Sequence, residues 1–279
     1  VGHPPHRAAF TRTLRGIDGT GVVVGVISDG ATSVAARQAT GDLPPGSAVQ
    51  VLPAGTGDEG TAMMEIIYDL APGAQLRFAT GSGGSAVMAL NILNLQAAGA
   101  NIIVDDLSYF GEGAFQDDLI AQAVQSVTNA GVLYFSSAGN SGNLNDGESG
   151  VWEGNYPPTP TRPGPVIADY PDVHLFGAQN SNLVTVDPPR FITLQWSDPL
   201  NASGNDYDLF LFNPPLTAVL AASIDNQNGN DDPFEDIDSN VGNDAGRRIV
   251  VARFSGNSAR FIHVNTHRGR LGTGTSGQI

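Results

Sequence analysis

From Gly21 to Gly142 the chain alternates apolar, β-branched runs with stretches of helical period, and few folds accept that alternation. GVVVGVI is followed by the helical TAMMEIIYDLA and then by QLRFA. A helix over SAVMALNILNLQAAGA precedes NIIVD, and one over FQDDLIAQAVQSVTNAG precedes VLYFS. Strands and helices in this alternation predict βαβ units, and so a doubly wound α/β arrangement: a parallel sheet with helices on both faces. The strands read as unbroken apolar runs, the pattern of strands covered on both sides. In such sheets a substrate is taken at the carboxyl ends of the strands, where Asp29, Asp105, Asp106 and Asn140 all fall.

After Asn140 the character changes. SGNLNDGESGVWEGNYPPTPTRPGP has no periodicity and reads as a loop or linker, which places a boundary near Pro165. Beyond it come the short runs NLVTV, FITLQW, YDLFLF, TAVLAA, RIVVARF and RFIHVN, separated by turns rich in Gly, Asn and Asp. They predict an antiparallel β-sandwich from about Ala168 to Asn265. The expected organisation is therefore residues 1–165 as an α/β part, 166–267 as the sandwich and 268–279 as a linker leaving it.

Composition narrows the function. A formal charge of -15 repels phosphate backbones and anionic lipid, which excludes nucleic acid and favours neutral or cationic partners. With no cysteine, neither disulfides nor thiolate chemistry are open to it. The longest apolar runs fall far short of a membrane span. Low lysine, many Gly and no Cys read as a secreted, extracellular bacterial protein, and a first residue other than Met leaves room for a removed leader.

Three polar ends stand out on this scaffold. In VVVGVISDGATS a carboxylate follows a buried strand and precedes Gly, so Asp29 can reach over the sheet edge; a turn aspartate bonding its own backbone has the same sequence. In DEGTAMMEIIYDLAPGA, Asp58 and Glu59 stand at a helix start. A catalytic carboxylate fits there, and so does a plain charge favoured by the helix dipole by about 0.3–1 kcal/mol. In VLYFSSAGNSG, Asn140 follows Gly as an ordinary turn residue or as a neutral donor to a developing oxyanion, a role worth about 3–4 kcal/mol.

Taken in order, these segments resemble the motifs of the subtilisin-like serine peptidases, over about Gly16 to Gly142. VISDG is similar to the strand that carries the family's aspartate, with Ser28 at the usual aspartate position and Asp29 next. The Gly60-Thr61 pair opening a helix that runs to Ala71-Pro72-Gly73-Ala74 resembles the histidine motif, with Glu59 where the histidine would be. Glutamate there is similar to the acid-active relatives called sedolisins, whose supporting aspartate comes one helical turn later; Met63 holds that position here. The resemblance thus implies Glu59 as base, Asp29 as its partner and an acidic pH optimum, because a carboxylate accepts a proton near its ordinary pKa of about 4.3. VLYFSSAGNSG is similar to the family's Ala-Ala-Gly-Asn turn and implies Asn140 as oxyanion donor; sedolisins use aspartate there. NIIVDDLSYF resembles the strand lining the substrate cleft, with Ser108 and its neighbours offering backbone to an extended polypeptide.

The family's serine lies in a Gly-Thr-Ser turn followed by small residues, Pro and a long helix. The comparable run is Gly274-Thr275-Ser276, after which only Gly277, Gln278 and Ile279 follow. The nucleophile and the remaining strands are therefore expected beyond Ile279, and residues 1–279 are expected to be catalytically silent. The resemblance implies a serine endopeptidase that cleaves polypeptides through an acyl-enzyme. The alternative is a non-enzymatic binding or adhesion protein with a degenerate peptidase-like half. A small-molecule hydrolase is disfavoured, since no Gly-x-Ser-x-Gly elbow occurs.

WSDPLNASGNDYDLFLF resembles the sandwich modules attached to or inserted in secreted peptidases. Asp231, Asp232, Glu235, Asp236 and Asp238 form an acidic turn that reads either as an oxygen site for structural calcium or as a solvated loop. No other cofactor is expected. His174, His263 and His267 lack metal-ligand spacing.

Overall fold

The structure is a computed structural model, described for residues 7–139, 142–164, 167–186, 191–238, 245–256 and 260–275. The chain forms two compact units: Val1–Glu112 with Asp117–Gly139, and Gly113–Gln116 with Asn140–Ile279.

In the first unit, strands β1 (Val23–Ser28), β2 (Val49–Val51), β3 (Gln75–Thr80), β4 (Ile102–Asp105) and β5 (Leu133–Ser136) build one parallel sheet in the order β2-β3-β1-β4-β5. Among the described residues five α-helices accompany it: α1 (Ala8–Arg15), α2 (Val34–Thr40), α3 (Glu59–Leu70), α4 (Ser85–Ala97) and α5 (Leu119–Asn129). Successive residues of β1 point to opposite faces. Val24 and Val26 pack with Met64 of α3 and with Leu76 and Phe78, whereas Ile27 packs with Met88, Ile92 and Leu95 of α4 and with Val127 of α5. Both faces of β1 are thus covered, which is why an unbroken apolar run was needed there.

From β1 the chain runs outward to β2 and back to β3, then crosses to β4 and on to β5. The neighbours β1 and β4 send their connections opposite ways, which opens a crevice at their carboxyl ends. On the edge strand β5, Leu133 and Phe135 are exposed (57% and 56%).

The helix expected from Phe115 begins at Leu119 instead. Asp118 stops it there, its side chain accepting the Leu119 N–H at 2.7 Å, and Gly113–Gln116 belong to the second unit. Strand β2 carried no sequence signal, because three residues show no period.

The second unit is antiparallel. Its strands are β6 (Val151–Asn155), β7 (Pro158–Thr159), β8 (Asp172–His174), β9 (Asn182–Val186), β10 (Phe191–Trp196), β11 (Asp206–Phe212), β12 (Val219–Ser223), β13 (Phe234–Asp238), β14 (Arg248–Ser255), β15 (Phe261–Asn265) and β16 (Arg270–Leu271). One sheet has the order β13-β10-β15-β6, and the other β12-β11-β14-β8-β7, with β9 joining β14 to β16. Side chains of both sheets meet in one core, among them Trp152, Leu194, Trp196, Tyr207, Leu209, Val251 and Val264. All seven residues of β11 are buried, because Phe210 and Phe212 pack on the far side against Ile167, Val173 and Tyr170.

The stretch before Pro165, whose composition reads as a linker, supplies β6, hydrogen-bonded along β15. The stretch from residue 268, read as leaving the sandwich, is held as far as Thr275: β16 pairs β9, and Thr275 donates its N–H to Val151 O at 2.8 Å. Neither segment alternates: Val151 and Trp152 of β6 are adjacent and both buried, and backbone pairing to β15 and β9 completes their hold.

Candidate functional site

Strand β1 ends at the buried Ser28, and Asp29 follows at the carboxyl edge of the sheet. Helix α3 starts beside them at Glu59, which is exposed. Ser28 Oγ donates to Glu59 Oε2 at 2.7 Å, while Asp29 Oδ1 accepts the N–H of Glu59 at 3.1 Å and that of Gly30 at 2.5 Å. From the end of β3, Thr80 Oγ1 donates to the Asp29 carbonyl at 2.7 Å. Asp29 and Glu59 are therefore brought together from segments thirty residues apart.

The contact differs in kind from the expected one. Asp29 sits on the backbone of the helix start, and it is the Ser28 hydroxyl that holds the Glu59 carboxylate. A hydroxyl can donate to a carboxylate oxygen, which a second ionised carboxylate cannot do. Ser28 was passed over as a functional residue; its signal was that it stands at the family's aspartate position.

Two glycines make this approach possible. Gly57 has φ 122°, and a side chain there would fall on the Asp29 carboxylate. Gly60 donates its N–H to Gly30 O at 2.9 Å, and a Cβ on it would overlap the Phe78 ring and stand 2.7 Å from that carbonyl. Gly60→Ala is expected to destabilise the first unit by about 1–3 kcal/mol, because the obstruction on one side is backbone and on the other a buried ring. Chemical denaturation measures it, and an unchanged midpoint would show that α3 is not seated this way.

Asp58 has a different task. Its Oδ1 accepts the Ser33 N–H at 2.9 Å and the Thr61 hydroxyl at 2.6 Å, and these bonds, that to Ser33 foremost, hold its carboxyl down at about 2. It fastens the start of α2 to the start of α3. The reading of a helix-start charge with a local structural role thus fits Asp58, while the Glu59 side chain turns to the strand end.

At the end of β4, Asp105 is buried and accepts the Ser136 hydroxyl at 2.8 Å; burial raises its carboxyl above the ordinary range. Asp106 and Ser108 are exposed, and Ser108 lies past the end of the strand. The chain after β5 reaches Gly139 with φ 72°. Asn140 lies outside the described residues, and so does Ser276.

The acidic turn does not gather. Phe234–Asp238 is a strand, so Glu235 points inward and is buried while Asp236 and Asp238 are exposed; Asp232 Oδ1 accepts the Asn201 N–H at 2.7 Å. Among the described residues no three His, Cys, Asp or Glu side chains are placed to hold a metal ion. His263 Nδ1 meets Glu153 Oε1 at 2.7 Å, His267 Nε2 meets Thr193 Oγ1 at 2.9 Å, and His174 stands among aromatic rings. No helix of the described residues is long and apolar enough to cross a membrane. No family model matches the chain, and no curated protein matches it.

Proposed function

We propose that the first unit carries the proton-handling part of a serine-type endopeptidase site, in a subtilisin-like α/β domain, and that the second unit is a β-sandwich module attached to or inserted in it. The observation that carries this reading is the hydrogen bond from Ser28 to the exposed Glu59 carboxylate, at the carboxyl ends of the strands and with Asp29 bound to the same helix start. A base so placed takes the proton of an attacking alcohol and returns it to the leaving amine of the peptide. Asn140 is the oxyanion donor in this reading.

Two further observations support it. The exposed apolar residues on β5 suit a sheet that continues past that edge, as the domain requires. The core shared by the two antiparallel sheets suits a sandwich. The substrate is extended polypeptide, met outside the cell, and the reaction passes through an acyl-enzyme.

The test is made on the full-length gene product that carries residues 1–279. A fluorophosphonate is expected to label one serine, and an unfolded polypeptide is expected to be cleaved fastest on the acid side of a scan from about pH 3 to pH 8. Failure to label, together with no cleavage at any pH, overturns the proposal in favour of a non-enzymatic binding protein.

A further inference from the structure

Residues 198–205, which join β10 to β11, border a cavity of about 340 Å³ together with Gly256 and Arg260, just past β14 and just before β15. That is the size of a small-molecule pocket, about 300–1,000 Å³. Asp198 lines its inner side and is 1% exposed. Oδ2 of this carboxylate accepts the Asn205 N–H at 2.9 Å, while Oδ1 accepts from the Asn205 side-chain amide at 3.0 Å and from Arg260 Nε. Ser203 Oγ, 3.1 Å from Oδ2, accepts the indole N–H of the core residue Trp196 at 2.9 Å. The polar groups of the pocket are thus braced in one geometry.

Two of these groups have bonding capacity left over. Arg260 meets Asp198 through Nε alone, so the other N–H donors of its guanidinium have no partner among the described residues, on a side chain 36% exposed. Asn205 turns its amide nitrogen to the same carboxylate, and its oxygen lies against Gly256, where a Cβ would stand 2.2 Å from it. A planar donor fork and a carbonyl acceptor therefore border one cavity. The rest of the wall has little bulk: Pro199, Ala202 and Gly204, where a Cβ would meet no atom within 4 Å.

The charges select the ligand. Arg260 and Asp198 neutralise each other and the whole chain carries a formal charge of -15, so an anion is opposed and a cation finds no unmatched carboxylate in the pocket. What is left is directional hydrogen bonding without net charge. A hydroxyl both accepts and donates, so two adjacent hydroxyls satisfy the fork and the carbonyl together. An extended polypeptide is taken along a sheet edge or in a groove, whereas this pocket lies between connecting segments.

We propose that this pocket binds a neutral sugar residue, whose adjacent hydroxyls accept from Arg260 and donate to Asn205 Oδ1, with the C–H face of the ring on Pro199 and Ala202. The site uses neither Asp29 nor Glu59, and it stands whether or not the first unit hydrolyses peptides.

The full chain is titrated at neutral pH with the methyl glycosides of glucose, galactose and mannose, by calorimetry and by saturation-transfer NMR. Acetate and N-acetylalanine methylamide serve as the anion and peptide probes. One glycoside is expected to saturate a single site with a Kd of about 1–10 mM, since water competes for every bond. Gly204→Leu is expected to weaken that binding by at least about tenfold and to move the thermal midpoint by less than about 2 °C, because its side chain enters open space. Arg260→Lys keeps a positive charge for Asp198 but loses the fork, and a loss of at least about fivefold is expected. No saturation by any glycoside up to about 50 mM overturns the proposal, as does binding unchanged in both variants. Acetate or N-acetylalanine methylamide binding in place of the glycosides overturns it too, in favour of an anion or a polypeptide site.

Discussion

Glu59→Gln is expected to lower polypeptide hydrolysis by the full-length protein by about 10²–10⁴-fold while leaving its stability within about 0.5 kcal/mol. Glutamine has the same shape and keeps an oxygen for the Ser28 hydroxyl. The contact with Asp29 is made by the backbone N–H of residue 59, which the substitution does not touch. What is lost is the ability to accept a proton. Ser28→Ala separates support from proton transfer: it removes one hydrogen bond to a charged group, worth about 1.5–3 kcal/mol, so a loss of about ten- to a hundredfold is expected. The measurements are initial cleavage rates and urea midpoints on the same preparations. Wild-type rates in Glu59→Gln would remove Glu59 from the chemistry; equal losses of rate and stability would make it a structural residue.

The second large effect is on stability against pH. His174 is wholly buried, with neither ring nitrogen partnered among the described residues, against the rings of Trp152, Phe176 and Tyr156 at 4.2, 4.5 and 5.3 Å. Asp172, two residues before it on β8, is spent on Arg253. Burial pushes the His174 pKa down to about 3. The folded chain therefore binds this proton less readily than the unfolded chain, so stability is present above the ordinary pKa of about 6.5 and is lost as pH falls from there through about 3. The loss amounts to something on the order of 4 kcal/mol at the acid end.

His174→Leu is expected to be more stable than wild type by about 1–3 kcal/mol at neutral pH, since two unpaired nitrogens leave the core. The gap should widen by the further 4 kcal/mol or so towards pH 3. Asp206, Asp208 and Glu235 act with the opposite sign: their raised carboxyls contribute stability below the ordinary carboxyl range, which is lost as pH rises through about 6–7. Both proteins carry these groups, so they cancel in the comparison. Both tryptophans, Trp152 and Trp196, lie in the second unit, so their fluorescence in denaturant reports it directly. A gap that does not change with pH would mean that His174 is solvated. Below the ordinary histidine range the unpaired imidazole is a cost, one that leucine would remove.

How much was legible differs between the two units. In the first, β1 was visible because helices cover both its faces and its residues must be small or apolar, β5 read the same way although Leu133 and Phe135 are exposed on the sheet edge, and the three-residue β2 gave no such pattern. In the second, Phe191–Trp196 and Phe261–Asn265 were visible as short runs bounded by turns, but Phe234–Asp238 was hidden by its acidic residues. Glu235 faces inward there, where apolar residues were to be expected, and the strand read as a loop. Val151–Asn155 was hidden by its Gly and polar neighbours, because its place is set by five paired residues of β15 and not by its own pattern.

The candidate site divides the same way. That a carboxylate would stand at the end of β1 and another at the start of α3 could be read from residue order, since strand ends and helix starts are local properties. Which atom of Asp29 meets which atom of Glu59, and that Ser28 and not Asp29 holds the carboxylate, depended on Gly57 and Gly60 letting two distant segments approach backbone to backbone. The sequence alone determined the alternation of strand and helix, because hydrophobic period is a property of neighbours along the chain. Only the tertiary structure decided which buried charges are answered, Asp198 and Asp172 by arginines and Asp206, Asp208 and Glu235 by none among the described residues, because that balance is struck across space between residues with no relation in order.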